Sequence, residues 1–415
     1  MANTAELAIN GGVPVRTEPM PSRSLIGEEE KAAAVALFDA AIASGNAFGY
    51  NGPAEKQYEE DFAAFMGGGF ADAVNSGTNA VFAALGALRL DALSEVIVPP
   101  ITDCGGCMPV VMLGCVPVVA DADPRSYNTC AEQIEPLITD RTRAIIVAHI
   151  GGDVIDMDPV MELARKHDLF VVEDCAQAHG AKYKGRPAGT IGHIAAFSTM
   201  FGKHHCTGGQ GGIVYTKDEE LHWSGKRFAD RGKAFNIEAS GNVVAGLNCN
   251  LNDLSATIGS AQLGKLPRII GNRARVGDAI RDALRDGPAI AVGWQVPESQ
   301  STYWFLRMHF RADTLTVDKA AFCEALRAEG IPASPSYRAI PAEYPWFQNK
   351  AVFGNSGFPW DCSDYKGPRE PQYHIDKALA AVNAHFNVSM HENYGDREIE
   401  DIVTAVKKVQ NAFLR

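Results

Sequence analysis

The chain has 415 residues, 46% hydrophobic and 21% charged, with 38 Lys plus Arg against 50 Asp plus Glu and a formal net charge of −12. At about 150 residues per domain this length predicts two to three units, and the composition excludes a disordered or fibrous chain. An acidic surface disfavours a nucleic-acid partner, no apolar run reaches the ~20 residues that span a bilayer, and Met1-Ala-Asn-Thr-Ala-Glu6 lacks the regions of a signal peptide, so a cytoplasmic location is expected.

Over the first 215 residues, short apolar runs alternate with helical patterns. Residues 94–100, 116–120, 143–149 and 169–173 are apolar nearly throughout rather than alternating, the pattern of strands buried on both faces. A helix is expected over 79–88, and another over 158–167, where Asp158 and Pro159 make a good helix start. This alternation predicts an α/β fold with a large, mostly parallel sheet covered by helices. In such a sheet ligands bind at the carboxyl ends of the strands, so the residues just after each run matter most. Past residue 262 the texture changes to a polar helical stretch over 265–285, an alternating segment over 303–310 and a closing helix over 396–413. The chain therefore divides into a large domain at 1–262, including an N-terminal arm, and a smaller α+β domain at 263–415. Residues 332–375, rich in Pro, Tyr and Trp, read as a long loop near a binding face or as a packed one, with Tyr337 and Trp346 as candidate substrate contacts.

Nine cysteines lie scattered through apolar segments and read as small buried hydrophobes of a reducing compartment. Cys104-Gly-Gly-Cys107 has the spacing of half a zinc site, but no second such pair follows. His204-His205-Cys206 completes four ligands only if the fold brings it there, and no metal is expected.

Three segments carry chemistry. Val74-Asn-Ser-Gly-Thr78 precedes a helix whose free N–H groups favour phosphate, although Ser or Thr there also serves as a plain cap. Asp174 directly follows an apolar strand, where a carboxylate needs a cationic partner: a structural ion pair or a protonated ring nitrogen. Lys203 stands between the strand ending near Ser198 and a glycine-rich turn leading to a strand at 213–216. Desolvation there lowers an amine's pKa and frees it to form a Schiff base, whereas a surface position leaves an ordinary lysine. A phosphate cradle, an Asp near a pyridinium and a Schiff-base Lys share one explanation, a pyridoxal-phosphate site.

At this point the sequence resembles the DegT/DnrJ/EryC1/StrS aminotransferases, enzymes of fold type I that aminate keto groups on nucleotide sugars and cyclitols. The resemblance runs almost end to end through Gly11-Gly-Val-Pro-Val15, Ser76-Gly-Thr78, Val98-Pro-Pro-Ile-Thr102, Glu173-Asp-Cys-Ala-Gln-Ala-His-Gly180, Phe197-Ser198 with Lys203, and Gly246-Leu-Asn248 leading to Ala261-Gln-Leu263. It implies that Lys203 carries the Schiff base and shuttles the proton, that Asp174 pairs with the ring nitrogen, and that Gln177 contacts the ring hydroxyl. Gly77, Thr78 and Ser198 would hold the phosphate. Asn248 would reach it from the other subunit, making a homodimer with shared sites the working unit. The implied reaction moves an amino group from L-glutamate or L-glutamine to a keto sugar or keto cyclitol, with pyridoxal 5′-phosphate as cofactor and pyridoxamine 5′-phosphate as its intermediate form.

Three departures from the family pattern qualify this. Asp103 occupies the slot of an aromatic residue that stacks on the pyridine face, so another group covers the ring or the face is open. Asn250 stands where an Arg often lies, which weakens the case for an acidic substrate group there. Finally, six residues forward from Phe197 is Lys203, whereas seven back from Gly211 is His204, and relatives with His in the lysine slot are sugar 3-dehydratases. Lys203 is retained because relatives with a longer glycine loop share its spacing. The alternatives are a pyridoxamine-phosphate-dependent sugar 3-dehydratase with His204 as base and a catalytically inactive regulatory or binding homologue.

Overall fold

The computed structural model describes residues 6–415. Seven strands form one sheet in the spatial order Phe70–Val74, Gly212–Thr216, Ile194–Ser198, Phe170–Asp174, Thr142–Ala148, Glu95–Val98 and Val116–Val119. From Ile194–Ser198 to the edge strand Val116–Val119 every pairing is parallel. Gly212–Thr216 runs antiparallel to both its neighbours. Parallel strands need a crossover connection, usually a helix; residues 199–211 form only turns and bends, so the strand after them folds back antiparallel.

The apolar runs are continuous because both sheet faces are covered. Ala144, Ile146 and Ala148 pack into one core with the helix Gly77–Ala87, and Ile145 and Val147 pack into the opposite core with Tyr58, Phe62, Val160 and Leu163. Each fully buried Ile or Val stabilises the fold by about 1.5–3 kcal/mol relative to exposure. The helix expected at 158–167 forms as Met157–His167, and the closing helix as Asp396–Phe413.

A second, antiparallel sheet orders Ile290–Val292, Leu306–Phe310, His385–Val388 and Ala333–Ser334, backed by the helices Lys319–Ala328 and Asp396–Phe413. The connecting helix is longer than the sequence pattern predicts, running from Asp253 to Leu284 through Pro267. Leu263 and Leu266 insert into the core of the first sheet, and Val276, Ile280 and Leu284 into that of the second. The boundary expected at 262/263 therefore falls inside one continuous helix. The N-terminal arm lies on the second sheet's side: Leu7 is buried in that core, and Arg16 pairs with Glu398 at 2.9 Å and Asp401 at 2.7 Å. Among the described residues no helix is long and apolar enough to cross a membrane.

Candidate active site

The carboxyl ends of the central strands open into a cavity of about 360 Å³, of the size that takes a small organic ligand. Gly77, Thr78, Asp103, Asp174, Gln177, Ser198 and Lys203 all line it. Sequence positions spread over 127 residues thus converge because each follows or flanks a strand end, and the ladder places Asp174 beside Ala148 and Ala196.

One end of the cavity is the start of the helix Gly77–Ala87. Ser76 caps it, its side chain accepting from the N–H of Asn79 at 3.1 Å. The N–H groups of Gly77 and Thr78 stand in the first turn, which has no intrahelical acceptor. Gly77 must be glycine, because a Cβ there would lie 2.6 Å from the Cβ of Ser198. Ser76 therefore serves as the cap, and the N–H groups of Gly77 and Thr78 lie outside that bond.

Asp174 is buried at the floor. Its Oδ1 accepts from the N–H of Ala176 at 3.0 Å, and among the described residues it has no ion-pair partner. Burial raises its pKa, opposed by that hydrogen bond and by Lys203. A structural ion pair does not account for Asp174. The neighbouring Glu173 is the structural carboxylate: it accepts from His149 Nε2 at 3.0 Å and from the N–H groups of Gly189, Ile191 and Gly192. Although burial pushes Glu173 up, these donors hold it below the ordinary carboxylate range. His149, Glu173 and Cys175 are close enough to suggest a metal trio, but His149 Nδ1 already accepts from Ile155 N–H and Glu173 is saturated. Neither Cys104–Cys107 nor His204–Cys206 belongs to that group.

Lys203 is 8% exposed, and burial lowers its pKa against the raising pull of Asp174 and Asp103. Its Nζ lies 4.2 Å from the ring centroid of Trp304. His204, next in the chain, turns the other way. It is fully buried, donates from Nε2 to the carbonyl of Thr302 at 3.0 Å, and is absent from the cavity lining. His204 forms a layer under the lysine loop with His179 and His205, ring centroids 5.8 and 6.0 Å from His179. Among the described residues, the Nδ1 of His204 and of His205, and both ring nitrogens of His179, have no hydrogen-bond partner. Burial holds His179 and His204 well below the ordinary histidine range and takes His205 to about 4, so all three are neutral.

The remaining wall comes from the second half of the chain. Trp304 and Tyr337 line the cavity opposite the strand ends. Gln177 bridges the two halves of the chain: its Oε1 accepts from Gly151 N–H at 2.7 Å, and its Nε2 donates to the Tyr337 hydroxyl at 2.8 Å. Asp103 is exposed at the rim, its Oδ1 accepting from Gly105 N–H at 2.9 Å. Of the two aromatics singled out in the 332–375 loop, Tyr337 reaches the cavity and Trp346 packs against the core. Trp304 carried no sequence signal as a site residue, since the alternating pattern of 303–310 reads as strand, whereas the strand begins at Leu306.

Asn248 is not part of this cavity. It is exposed, its Oδ1 accepting from Asn250 Nδ2 at 2.6 Å, and the following helix is capped by Asn252, whose Oδ1 accepts from Ser255 N–H at 2.9 Å. Exposed Ile237, Val243 and Leu247 precede it, and Phe201 on the lysine loop is 67% exposed.

These residues fit pyridoxal phosphate on three counts: a free helix N-terminus for a dianion, a buried carboxylate without an ionic partner for a ring N–H, and a desolvated lysine between them. Residues 28–359 match the sequence model of the DegT/DnrJ/EryC1/StrS aminotransferase family. The chain is 39% identical over 291 residues to GDP-perosamine synthase of Caulobacter vibrioides, covering 70% of this chain and 78% of that one. It is 32% identical over 355 residues to L-glutamine:2-deoxy-scyllo-inosose aminotransferase of Streptomyces paromomycinus, covering 81% and 82%. The crystal structure of an aminotransferase from Psychrobacter cryohalolentis superposes with a TM-score of 0.79 at 30% identity, over 94% of this chain and 98% of that one.

Proposed function

The chain belongs to the DegT/DnrJ/EryC1/StrS aminotransferase family, and from that premise we propose that it moves an amino group from L-glutamate or L-glutamine to a keto sugar or keto cyclitol, using pyridoxal 5′-phosphate. The observation that carries this reading is the placement of Lys203: buried, with its pKa lowered, in one cavity with Asp174 and the free end of the helix Gly77–Ala87. Relatives that act on a sugar nucleotide and on a cyclitol support the acceptor class.

When bound, the cofactor supplies an electron-accepting ring conjugated to the carbon bearing the amino group. The Gly77 and Thr78 N–H groups and Ser198 hold its phosphate. Asp174 keeps the ring nitrogen protonated, and Gln177, fixed by Gly151 and Tyr337, presents its amide to the ring hydroxyl. Lys203 takes the proton from the donor's amino-bearing carbon and later delivers one to the former keto carbon of the acceptor. The donor leaves as a 2-oxo acid and the acceptor as an amine. Trp304 and Tyr337 supply the aromatic cover that Asp103 does not. Asn248 and the exposed apolar side chains before it support a homodimer in which each chain completes its partner's phosphate site.

A panel of donors and keto acceptors tests this. Amine product and 2-oxo acid should appear in equal amounts. A deoxygenated ketone without net amination would overturn the transfer reading in favour of the dehydratase, and no turnover with any donor in favour of an inactive homologue. The position of His204, turned away from the cavity, argues against its serving as the base.

A further inference from the structure

Lys203 lies in a segment without regular secondary structure, so its own backbone bonds do little to fix it. Lys203 N–H donates to Met200 O at 2.9 Å, and Phe201 N–H to Gly209 O at 3.0 Å. The carbonyls of three consecutive residues instead receive donors from distant parts of the chain. Arg23 donates from Nη1 to Phe201 O at 3.4 Å and from Nη2 to Lys203 O. The indole N–H of Trp304 donates to Gly202 O at 3.0 Å.

Both donors are anchored to one ionic network. Arg23 Nε pairs with Glu392 Oε1 at 2.8 Å, and the other oxygen of Glu392 takes Arg273 Nε at 2.9 Å. Arg273 then donates from Nη1 to the carbonyls of Tyr303 at 3.0 Å and Trp304 at 3.4 Å. Glu392 and Arg273 are nearly fully buried, so these charge-assisted bonds act where screening is weakest. The arm is itself held down: His391 Nε2 donates to Pro21 O at 2.7 Å, and Asn393 Nδ2 to Ser22 O at 3.0 Å and Arg23 O at 2.6 Å. The contacts close a ring from the Lys203 carbonyl through Arg23, Glu392, Arg273 and Trp304 back to the Gly202 carbonyl, while the face of Trp304 meets Lys203 Nζ.

We infer that Arg23 and Trp304 are positioning residues for Lys203: a clamp from the N-terminal arm and the second domain that fixes the lysine backbone and keeps water from its amine. The inference rests on Lys203 being the reactive lysine. It also assigns a purpose to the arm, which otherwise lies far from the strand ends. The titratable groups around the amine are Asp174, Asp103, Tyr337 and, beneath the loop, His179, and Arg23 adds its own positive charge beside the Lys203 carbonyl. Arg23→Met therefore removes a cation as well as two hydrogen bonds, whereas Trp304→Phe alters no charge, so a shift shared by both comes through position and hydration.

The test reads Lys203 directly in the full chain stripped of cofactor, by competitive acetylation across the neutral to alkaline range with peptide mapping, beside the rate of pyridoxal-phosphate uptake. Arg23→Met should move the labelling midpoint of Lys203 up by about one pH unit, because a hydrated amine regains its ordinary basicity and a neighbouring cation is lost. Uptake near neutrality should slow about tenfold, since the neutral amine is then about tenfold scarcer. Trp304→Phe, which keeps an aromatic ring but removes the N–H and part of the ring face, and Glu392→Gln, which weakens the anchor, should move both readouts the same way by less. Should Arg23→Met fail to fold, these two decide. Folded variants with a lower thermal transition but an unmoved midpoint and uptake rate overturn the clamp and leave a purely structural network. Borohydride reduction of loaded wild-type protein separates the two readings: a pyridoxyl label on another lysine removes the role of Lys203 and the clamp with it, whereas a label on Lys203 with unmoved midpoints overturns the clamp alone.

Discussion

The two walls of the cavity are built on different principles. The wall bearing Asp174, Ser198 and the start of the helix Gly77–Ala87 grows from strands of one sheet, so hydrogen-bond register sets its spacing. The wall bearing Trp304 and Tyr337 comes from loops near the second sheet, joined to the first by individual side-chain bonds such as Gln177 to Tyr337 and Trp304 to Gly202. A wall set by ladders is stiff and its chemistry is local. A wall set by side chains can differ between related enzymes without disturbing the strands, and it is where acceptor preference can change.

That contrast breaks first at Lys203. Lys203→Ala should lower turnover by about 10³-fold or more, because proton transfer and cofactor attachment use the same amine; kcat within tenfold of wild type would remove Lys203 from the chemistry. Asp174→Asn should lower kcat by about 10²-fold while the thermal transition holds, since the lost charge acts on the reacting system. Near wild-type turnover would make Asp174 structural. Asn248→Ala asks whether a third wall comes from a second chain. It should weaken pyridoxal-phosphate retention and dimerisation by about tenfold, a ligand bound only by the dimer favouring the dimer by mass action. Mixing Lys203→Ala with Asn248→Ala chains, once each is shown to be impaired, should restore part of the activity; verified subunit exchange without recovery places the two residues in separate roles. The smallest effect is expected at the side-chain wall. Tyr337→Phe removes one hydrogen bond to Gln177, worth about 1 kcal/mol, and should lower kcat/KM about fivefold with kcat less affected. A kcat loss as large as that of Asp174→Asn would put Tyr337 in the chemistry itself.

The same contrast explains what was legible in the sequence. The double-sided sheet shows as uninterrupted apolar runs, so five of its seven strands were readable to within a residue or two, whereas Phe70–Val74, which carries the buried Asp72, shows no such run. The helix Glu28–Ser44 gave no amphipathic signal because Val35, Phe38 and Ile42 remain on its surface. The start of the helix Asp253–Leu284 was read twelve residues late, because it serves two cores in turn and carries Pro267. Trp304 and Arg23 were missed for a different reason: their positions depend on how distant segments pack together, which no local pattern encodes. Tyr337 was legible only as one aromatic in a loop full of them.

The neutral histidine layer beneath Lys203 makes folding of this chain a proton-linked reaction. In the unfolded chain a histidine titrates near 6.5, whereas His205 in the fold holds off its proton until about 4. Between those values unfolding takes up a proton at this site, so stability is retained above the unfolded value and declines as pH falls through the interval. The full interval amounts to about 3 kcal/mol for one group, and His179 and His204, shifted in the same direction, add to it. Calorimetric unfolding near pH 5 in buffers of different ionisation enthalpy should register this uptake, and His205→Gln should reduce it. An unchanged proton count would mean that His205 is already charged in the fold. The buried histidine layer under the lysine loop thus ties the enzyme's survival to a near-neutral medium, independently of the pH at which its chemistry runs fastest.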